Sequence, residues 1–308
     1  MKNSRPVIFF GNEQIAHGVK HVITPALEGL IEAGYEVVAV FTSPDYKGRR
    51  RKVVMPRTKE VAMMHGIPVY QPTGVREMTV LVGGFFRKAE EKPIGVLESY
   101  GHMIPGRILE MFEPGGIVNI HPSLLPEYRG ATPIEAVMLD GAGETGVSLM
   151  KLVKQMDAGP VYAQKVLELR GNETKQELYE SLSVMGAKML VENLPSIISG
   201  ELEAREQDEA RATFCGKLDK SMANLDVTKM SATECYNRVR AFDGFPKSKV
   251  VIGGVGCVIT EASVAEKAET TIDLKCRDGR FLIVKKLVPE GGKPMTAKDF
   301  INGYLRER

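Results

Sequence analysis

Short runs of β-branched and aromatic residues alternate with stretches of helical period through the first half of the chain. Val7 to Phe10, Val37 to Phe41, Val69-Tyr70, Ile94 to Leu97, Ile117 to Asn119 and Val147 to Leu152 read as strands. Helices are expected between them, near Val19 to Ala33, Pro56 to His65, Gly106 to Phe112 and Pro133 to Leu139. Strands this short and this apolar, each followed by a helical stretch, are what a parallel sheet covered on both faces needs, since its crossovers are helices. The expected fold class is therefore α/β.

A longer helix is predicted from Glu173 to Ser199, with Leu178, Leu182, Met185, Met189 and Leu190 forming a core-facing stripe and Asn172 as its cap. The segment 201–211 is charged and poor in apolar residues, so it is expected to be a linker that makes few contacts. Beyond it the periodicity changes. Ser231-Ala232-Thr233-Glu234 is a capping box that opens a helix to Phe242. Val250 to Ile252, Cys257 to Thr260, Thr271 to Leu274 and Phe281 to Val284 then read as short strands, with Gly253-Gly254 and Asp278-Gly279 as turns. That pattern suits a small barrel, and Asp299 to Arg308 is expected to close the chain as a short helix. The division expected is a first domain at 1–200, the linker at 201–211 and a second domain at 212–308, in keeping with a length beyond one ordinary core.

Candidate chemistry gathers at the end of one strand. In extended chain Asn119 and His121 point to the same side, and both emerge where Gly115-Gly116-Ile117-Val118 gives way to a loop punctuated by Pro122 and Pro126. Asn119 offers a carboxamide donor for an oxyanion, His121 an imidazole able to take and give a proton near neutral pH, and Asp157 a carboxylate that could orient it. Asn and His at a strand end are also ordinary turn and cap residues, so the triplet by itself leaves both readings open.

The longer string carries more. Asn119-x-His121, the loop Ser123-Leu124-Leu125-Pro126, Arg129-Gly130 and Asp157-Ala158-Gly159 together resemble the family of formyltransferases that use 10-formyltetrahydrofolate. The resemblance continues through Val40-Phe41-Thr42-Ser43-Pro44-Asp45, Met55-Pro56, Tyr100-Gly101 before Ile104-Pro105, and Arg240-Ala241-Phe242 before Pro246, so it covers essentially the whole chain. It implies a Rossmann-like first domain with a parallel-type sheet and a smaller OB-like β-barrel as the second. It also implies 10-formyltetrahydrofolate as cosubstrate, methionine carried on initiator tRNA as acceptor, and Asn119, His121 and Asp157 as the groups that act. The folate site is then expected beside the triplet, at Tyr100, Gly101, Met103 and Ile104 and at Ser123, Leu124 and Leu125, which follow adjacent strand ends. Two alternatives share the fold: a formyltransferase acting on an amino-sugar nucleotide, and a tRNA-binding protein without the chemistry. After the first strand the chain has Gly11-Asn12-Glu13-Gln14-Ile15, where the family commonly has Gly-Thr-Pro or Gly-Ser-Pro.

Composition narrows the remaining classes. No run approaches the roughly twenty apolar residues of a membrane span, and Met1 to Pro6 leads into a strand rather than a signal peptide, so a cytoplasmic enzyme is expected, acting as a monomer. Gly11 to Ile15 lacks the glycine fingerprint of nicotinamide sites. The four cysteines, Cys215, Cys235, Cys257 and Cys276, are widely spaced and expected to be free buried thiols, and no metal site is expected. His17 and His21 have a helical metal spacing but read as surface residues. A net charge of +2 says little, but its distribution says more: Lys47, Arg49, Arg50, Arg51, Lys52, Arg57 and Lys59 crowd one segment, against the acidic 201–209. Arg49, Arg50, Arg51 and Lys52 are the expected tRNA phosphate contacts, with Arg50 aligned on the loop arginine of the resembled family.

Overall fold

The computed structural model describes residues 5–12, 19, 21–47 and 53–305. The first half runs β1 (Val7–Gly11), α1 (Pro25–Glu32), β2 (Val37–Phe41), β3 (Tyr46–Lys47), β4 (Val53–Val54), α2 (Arg57–Met64), β5 (Val69–Tyr70), α3 (Val75–Lys88), β6 (Ile94–Glu98), α4 (Gly106–Phe112) and β7 (Ile117–His121). It continues through β8 (Arg129–Gly130), α5 (Pro133–Asp140), β9 (Glu144–Lys151), β10 (Val161–Glu168) and α6 (Lys175–Ser199). Seven strands form one sheet in the order β10-β9-β7-β6-β1-β2-β5. From β7 to β5 every pairing is parallel. The chain winds outward from β1 through β2 to β5 and then returns to β6 on the other side of β1, which creates a switch point where open α/β sheets receive ligands.

The far edge departs from the expected alternation. β9 runs antiparallel to β7, and β10 antiparallel to β9. Periodicity identifies buried extended chain but not its direction, which explains why Val147 to Leu152 reads like another parallel strand.

Burial explains the layers. One core cluster joins Ala26, Leu27 and Leu30 of α1 and Val61 and Ala62 of α2 with Leu182, Leu190 and Leu194 of α6, beneath Val118 and Ile120. The other joins Met78 and Val82 of α3 to Ile108 and Phe112 of α4, beneath Ile8, Phe10 and Ile117. Helix α3 is not among the elements expected from the sequence, and it carries Gly83-Gly84 in its interior. Two interior glycines cost a helix about 1 kcal/mol each, which burial of Met78 and Val82 at ~1.5–3 kcal/mol per side chain outweighs. The start of α6 is also shifted. Its cap is Thr174 rather than Asn172, because Thr174 accepts from the Glu177 backbone N–H at 3.2 Å and the Glu177 carboxylate accepts in return from the Thr174 backbone N–H at 2.8 Å.

The rest of the chain adds β11 (Phe214–Cys215), α7 (Ala232–Ala241), β12 (Ser248–Ile252), β13 (Val255–Ala265), β14 (Leu274–Lys275), β15 (Phe281–Pro289), β16 (Met295–Thr296) and α8 (Ala297–Phe300). Strands β12 to β16 form their own antiparallel sheet, a half-barrel packed on α7 and α8 around Leu225, Val239, Ile259, Leu282 and Phe300. Ser231 and Glu234 form the expected capping box on α7. Gly253 and Gly254, at φ 54° and 81°, make the tight β12–β13 turn that needs a left-handed backbone at both central positions. The expected closing helix is seen as α8 continued by a π turn over Ile301–Leu305, and the remainder of the expected span, 306–308, lies outside the described residues. Three cysteines are buried and Cys215 is half-buried; all four are free. Among the described residues no helix is long and apolar enough to cross a membrane.

The segment 201–211 is not a linker of few contacts. Arg205 exchanges backbone hydrogen bonds with Val161, and Glu209 pairs with the buried Arg129. The second unit is tied to the first as well, through Lys175 of α6, whose ammonium reaches Glu135 of α5 at 3.7 Å and donates to the Asp243 carbonyl beyond α7. Burial lowers the pKa of Lys175, against the raising effect of Glu135 and Asp243.

Candidate active site

Alternation along β7 places Val118 and Ile120 in the core below α6, so Asn119 and His121 emerge together on the opposite face. Asn119 pairs with Leu97 of β6 and Met150 of β9, and His121 sits opposite Ser148. Both side chains are held in the sheet with about one twentieth of their surface exposed, 5% for Asn119 and 4% for His121.

His121 is fixed by backbone. Its Nε2 lies 3.0 Å from the Tyr128 carbonyl oxygen, and since a carbonyl only accepts, Nε2 carries the hydrogen. Nδ1 is left as the proton-accepting atom, and it faces Asp157 Oδ1 at 3.8 Å, longer than a hydrogen bond but close enough for an ion pair once the ring is protonated. The other Asp157 oxygen, Oδ2, accepts from the Gly130 backbone N–H at 2.8 Å. Asp157 lies in the hairpin loop between β9 and β10, with a left-handed backbone at φ 50°. The structure thus brings His121 and Asp157 together, 36 residues apart in sequence, with Asn119 one pleat below.

The loop that supplies these backbone groups depends on one glycine. Gly130 has φ 124°, and a Cβ there would collide with the Cys215 carbonyl oxygen across the β8–β11 ladder. Arg129 beside it is 2% exposed and is held by Gln207 and by a fork to Glu209 at 2.7 and 3.0 Å. Arg129 is buried while Glu209 is largely exposed, so Gln207 and Glu209 supply the hydrogen bonds that a buried guanidinium must have.

Tyr128 itself has φ 57°, and its ring lines a cavity of about 330 Å³ shared with Thr132, Asp140, Phe214 and Lys217. Burial, followed by the nearby Asp140 carboxylate, pushes its phenol up to about 12.

The residues expected to hold folate divide into two groups. Gly101 and Met103 are exposed in the loop after β6, beside the end of β7, with Met103 75% accessible. Tyr100 turns inward instead, joining an aromatic layer with Phe10 at 5.6 Å and His102 at 5.3 Å, and Ile104 is buried with it. His102, in turn, bonds Ser43 Oγ at 2.9 Å and ties this loop to the one after β2.

The side chains of Ser123, Leu124 and Leu125 also face the protein. Ser123 is fully buried and its hydroxyl donates to the Glu127 carbonyl at 2.6 Å, Leu124 packs on Gly146, and Leu125 is 5% exposed. Tyr100, Ile104, Ser123 and Leu125 are thus buried and Leu124 half-buried, so what these segments offer at the surface beside His121 is largely backbone. Ser148 supports that backbone, accepting from Leu125 N at 3.0 Å and donating to the Ser123 carbonyl at 2.7 Å.

Arg49, Arg50, Arg51 and Lys52 lie outside the described residues, as do His17 and Glu13-Gln14-Ile15. The paired β3 and β4 flank the basic stretch. Sequence reasoning missed Tyr128, Gln207 and Ser148. A backbone carbonyl leaves no trace in a sequence, and Gln207 sits in a segment whose composition reads as solvated.

An Asn, a backbone-oriented His and a carboxylate at the carboxyl end of an α/β sheet define a site for acyl or formyl transfer. The chain belongs to the formyl transferase family, which it matches over residues 7–194, with the family's C-terminal domain matched over residues 217–305. Among its relatives are the methionyl-tRNA formyltransferases of Lactobacillus delbrueckii subsp. bulgaricus, 36% identical over 96% of this chain and 94% of that protein, and of Methylococcus capsulatus, 35% identical over 97% and 96%. Solved structures share the fold at low identity. The N-formyltransferase of Helicobacter canadensis, in complex with folinic acid and dTDP-3-aminofucose, superposes with a TM-score of 0.66 at 18% identity, covering 90% of this chain and 98% of that one. HypX from Aquifex aeolicus in complex with tetrahydrofolic acid gives a TM-score of 0.64 at 14% identity, over 98% of this chain and 47% of that one.

Proposed function

We infer that this chain transfers the formyl group of 10-formyltetrahydrofolate to the α-amino group of methionine carried on initiator tRNA, working as a monomer in the cytoplasm. Identity of 36% to a methionyl-tRNA formyltransferase, sustained over 96% of the chain, supports the acceptor. The observation that carries the chemistry is the setting of His121 between the Tyr128 carbonyl and Asp157.

In the proposed reaction the neutral amine attacks the formyl carbon, forming a C–N bond and a tetrahedral oxyanion that the Asn119 carboxamide stabilises. His121 Nδ1 takes the amine proton, and the Asp157 carboxylate stabilises the imidazolium that results. The proton then passes to N10 of the folate as its bond to the formyl carbon breaks, so tetrahydrofolate leaves neutral at that nitrogen and His121 is restored. The loop 101–103 forms one wall of the folate slot, and the backbone of 123–125 forms the other.

The test is a side-by-side assay of formyl transfer to methionyl initiator tRNA and to amino-sugar nucleotides. Formylation of the tRNA alone is expected. Transfer to the sugar nucleotide alone would replace the acceptor, and transfer to neither would overturn the reading.

A further inference from the structure

The strap that joins the two halves of the chain passes directly over the site. Thr213 Oγ1 accepts from Tyr128 N at 2.8 Å, and Phe214-Cys215 pair with Arg129-Gly130. At its centre lies Gln207. Its Oε1 accepts from Arg129 Nε at 3.0 Å and Nη2 at 2.8 Å, while its Nε2 donates to the carbonyls of Asp157 at 2.8 Å and Gly159 at 2.6 Å. All four bonds fix the amide in one orientation, since a flip would set the NH₂ against the guanidinium and the oxygen against two carbonyls.

Asp157 needs such a hold. Its backbone is left-handed at φ 50°, a conformation Asp tolerates better than most residues, so it is the contacts around the loop that decide where the carboxylate sits. A Cβ at Gly159 would collide with the Lys151 carbonyl oxygen, which shows how closely this loop is pressed onto β9. The Gly130 N–H holds the end of the Asp157 side chain, and Gln207 holds its backbone.

We propose that Gln207 is a positioning residue of the active site: by binding the Asp157 and Gly159 carbonyls it sets the distance between the Asp157 carboxylate and His121. The strap is thereby part of the site, and the seating of the C-terminal half bears on proton transfer. This rests on the proton-transfer role of His121 and Asp157.

The experiment uses the full chain with Gln207→Ala, Gln207→Glu, Asp157→Ala and the double variant Gln207→Ala/Asp157→Ala, each checked for folding by circular dichroism. Glu at 207 keeps an acceptor for Arg129 but turns an oxygen toward the two carbonyls, so it separates holding Arg129 from holding the Asp157 loop. Both Gln207 variants are expected to lower kcat by roughly tenfold or more, since a misplacement of about 1 Å is enough for that. The pH dependence of kcat should move in both, with KM for folate and charged tRNA near the parent values. In the Asp157→Ala background, Gln207→Ala should add no more than about a twofold loss, because the two act as one unit.

Parent-like kcat in Gln207→Glu would show that the residue serves Arg129 alone, and would overturn the proposal. So would full additivity with Asp157→Ala. Asp157→Ala at the parent rate would instead sink the reading of the His121–Asp157 pair itself.

Discussion

His121 Nε2 donates to the Tyr128 carbonyl at 3.0 Å and thereby turns Nδ1 toward the Asp157 carboxylate, 3.8 Å away. Orientation of the ring is thus the work of the backbone, and the carboxylate is free for a different task. Beside the neutral ring it gains little. Beside an imidazolium formed during the reaction it would stand at ion-pair distance, so its place in the site is that of a countercharge.

Replacing His121 with Ala is expected to lower kcat by roughly 10²-fold or more, the usual contribution of a positioned acid or base. The side chain lies at a strand end, so the sheet should persist. Steady-state formylation alongside circular dichroism checks this, and a folded His121→Ala protein of full activity would remove the proposed role.

Asp157→Asn separates charge from geometry. Asn keeps an oxygen for the Gly130 N–H, which Asp157 Oδ2 now accepts at 2.8 Å, but it cannot stabilise an imidazolium. A loss of roughly 10–10²-fold in kcat is expected, with a changed pH profile and an unchanged melting temperature. A normal rate and profile in this variant would mean that the carboxylate only shapes the loop. Asn119→Ala should cost about 10²–10³ in kcat through the oxyanion, while leaving the His-dependent limb of the pH profile in place.

The contrast between His121 and Tyr128 also explains what could be read from sequence. Alternating apolar and helical stretches made the α/β class visible, and Asn119, His121 and Asp157 could be picked out because they stand in a longer string of motifs that resembles a known family, not on the triplet alone. Strand direction could not be read, so the antiparallel β9 and β10 look like one more repeat of the parallel unit. Ser123 to Leu125 stand out as a motif, but a motif does not say which way its side chains point, and here they point inward. The partners that fix the site are backbone atoms of Tyr128 and Gly130, and one glutamine in a segment whose charge suggests solvent. Such groups become legible only once the chain is folded.

Buried phenols make the fold sensitive to alkali, Tyr100 and Tyr128 most of all. Burial pushes Tyr100 up to about 12, and burial with the neighbouring Asp140 does the same for Tyr128, from an ordinary value of 10.0. Both pKa values are raised in the folded state, so their contribution to stability is fully present below pH 10.0 and is lost as pH rises toward about 12, because the unfolded chain releases those protons first. Denaturant midpoints measured across that window should fall, with the phenolates of Tyr100 and Tyr128 appearing late in an absorbance titration beside those of Tyr35 and Tyr162, which burial also raises. Tyr128→Phe should flatten part of the decline, and an unchanged decline in that variant would exclude Tyr128 as a source.

The basic segment separates the tRNA acceptor from the amino-sugar acceptor. Arg49, Arg50, Arg51 and Lys52 stand together in the sequence between β3 and β4, and four positive charges in one short stretch suit a phosphate backbone far better than a single sugar nucleotide. Each phosphate neutralised releases counterions, so replacing all four with Ala should weaken tRNA binding and reduce the slope of log affinity against log salt by about 0.7–0.9 for every phosphate no longer neutralised. The folate KM should stay near the parent value, since the folate slot proposed above lies at the loops after β6 and β7 and not in this segment. Arg50→Ala alone is expected to carry the largest single share. If the quadruple variant bound and formylated charged tRNA with the parent affinity and salt slope, these charges would be a solvated face, and the case for a tRNA acceptor would rest on the relatives alone.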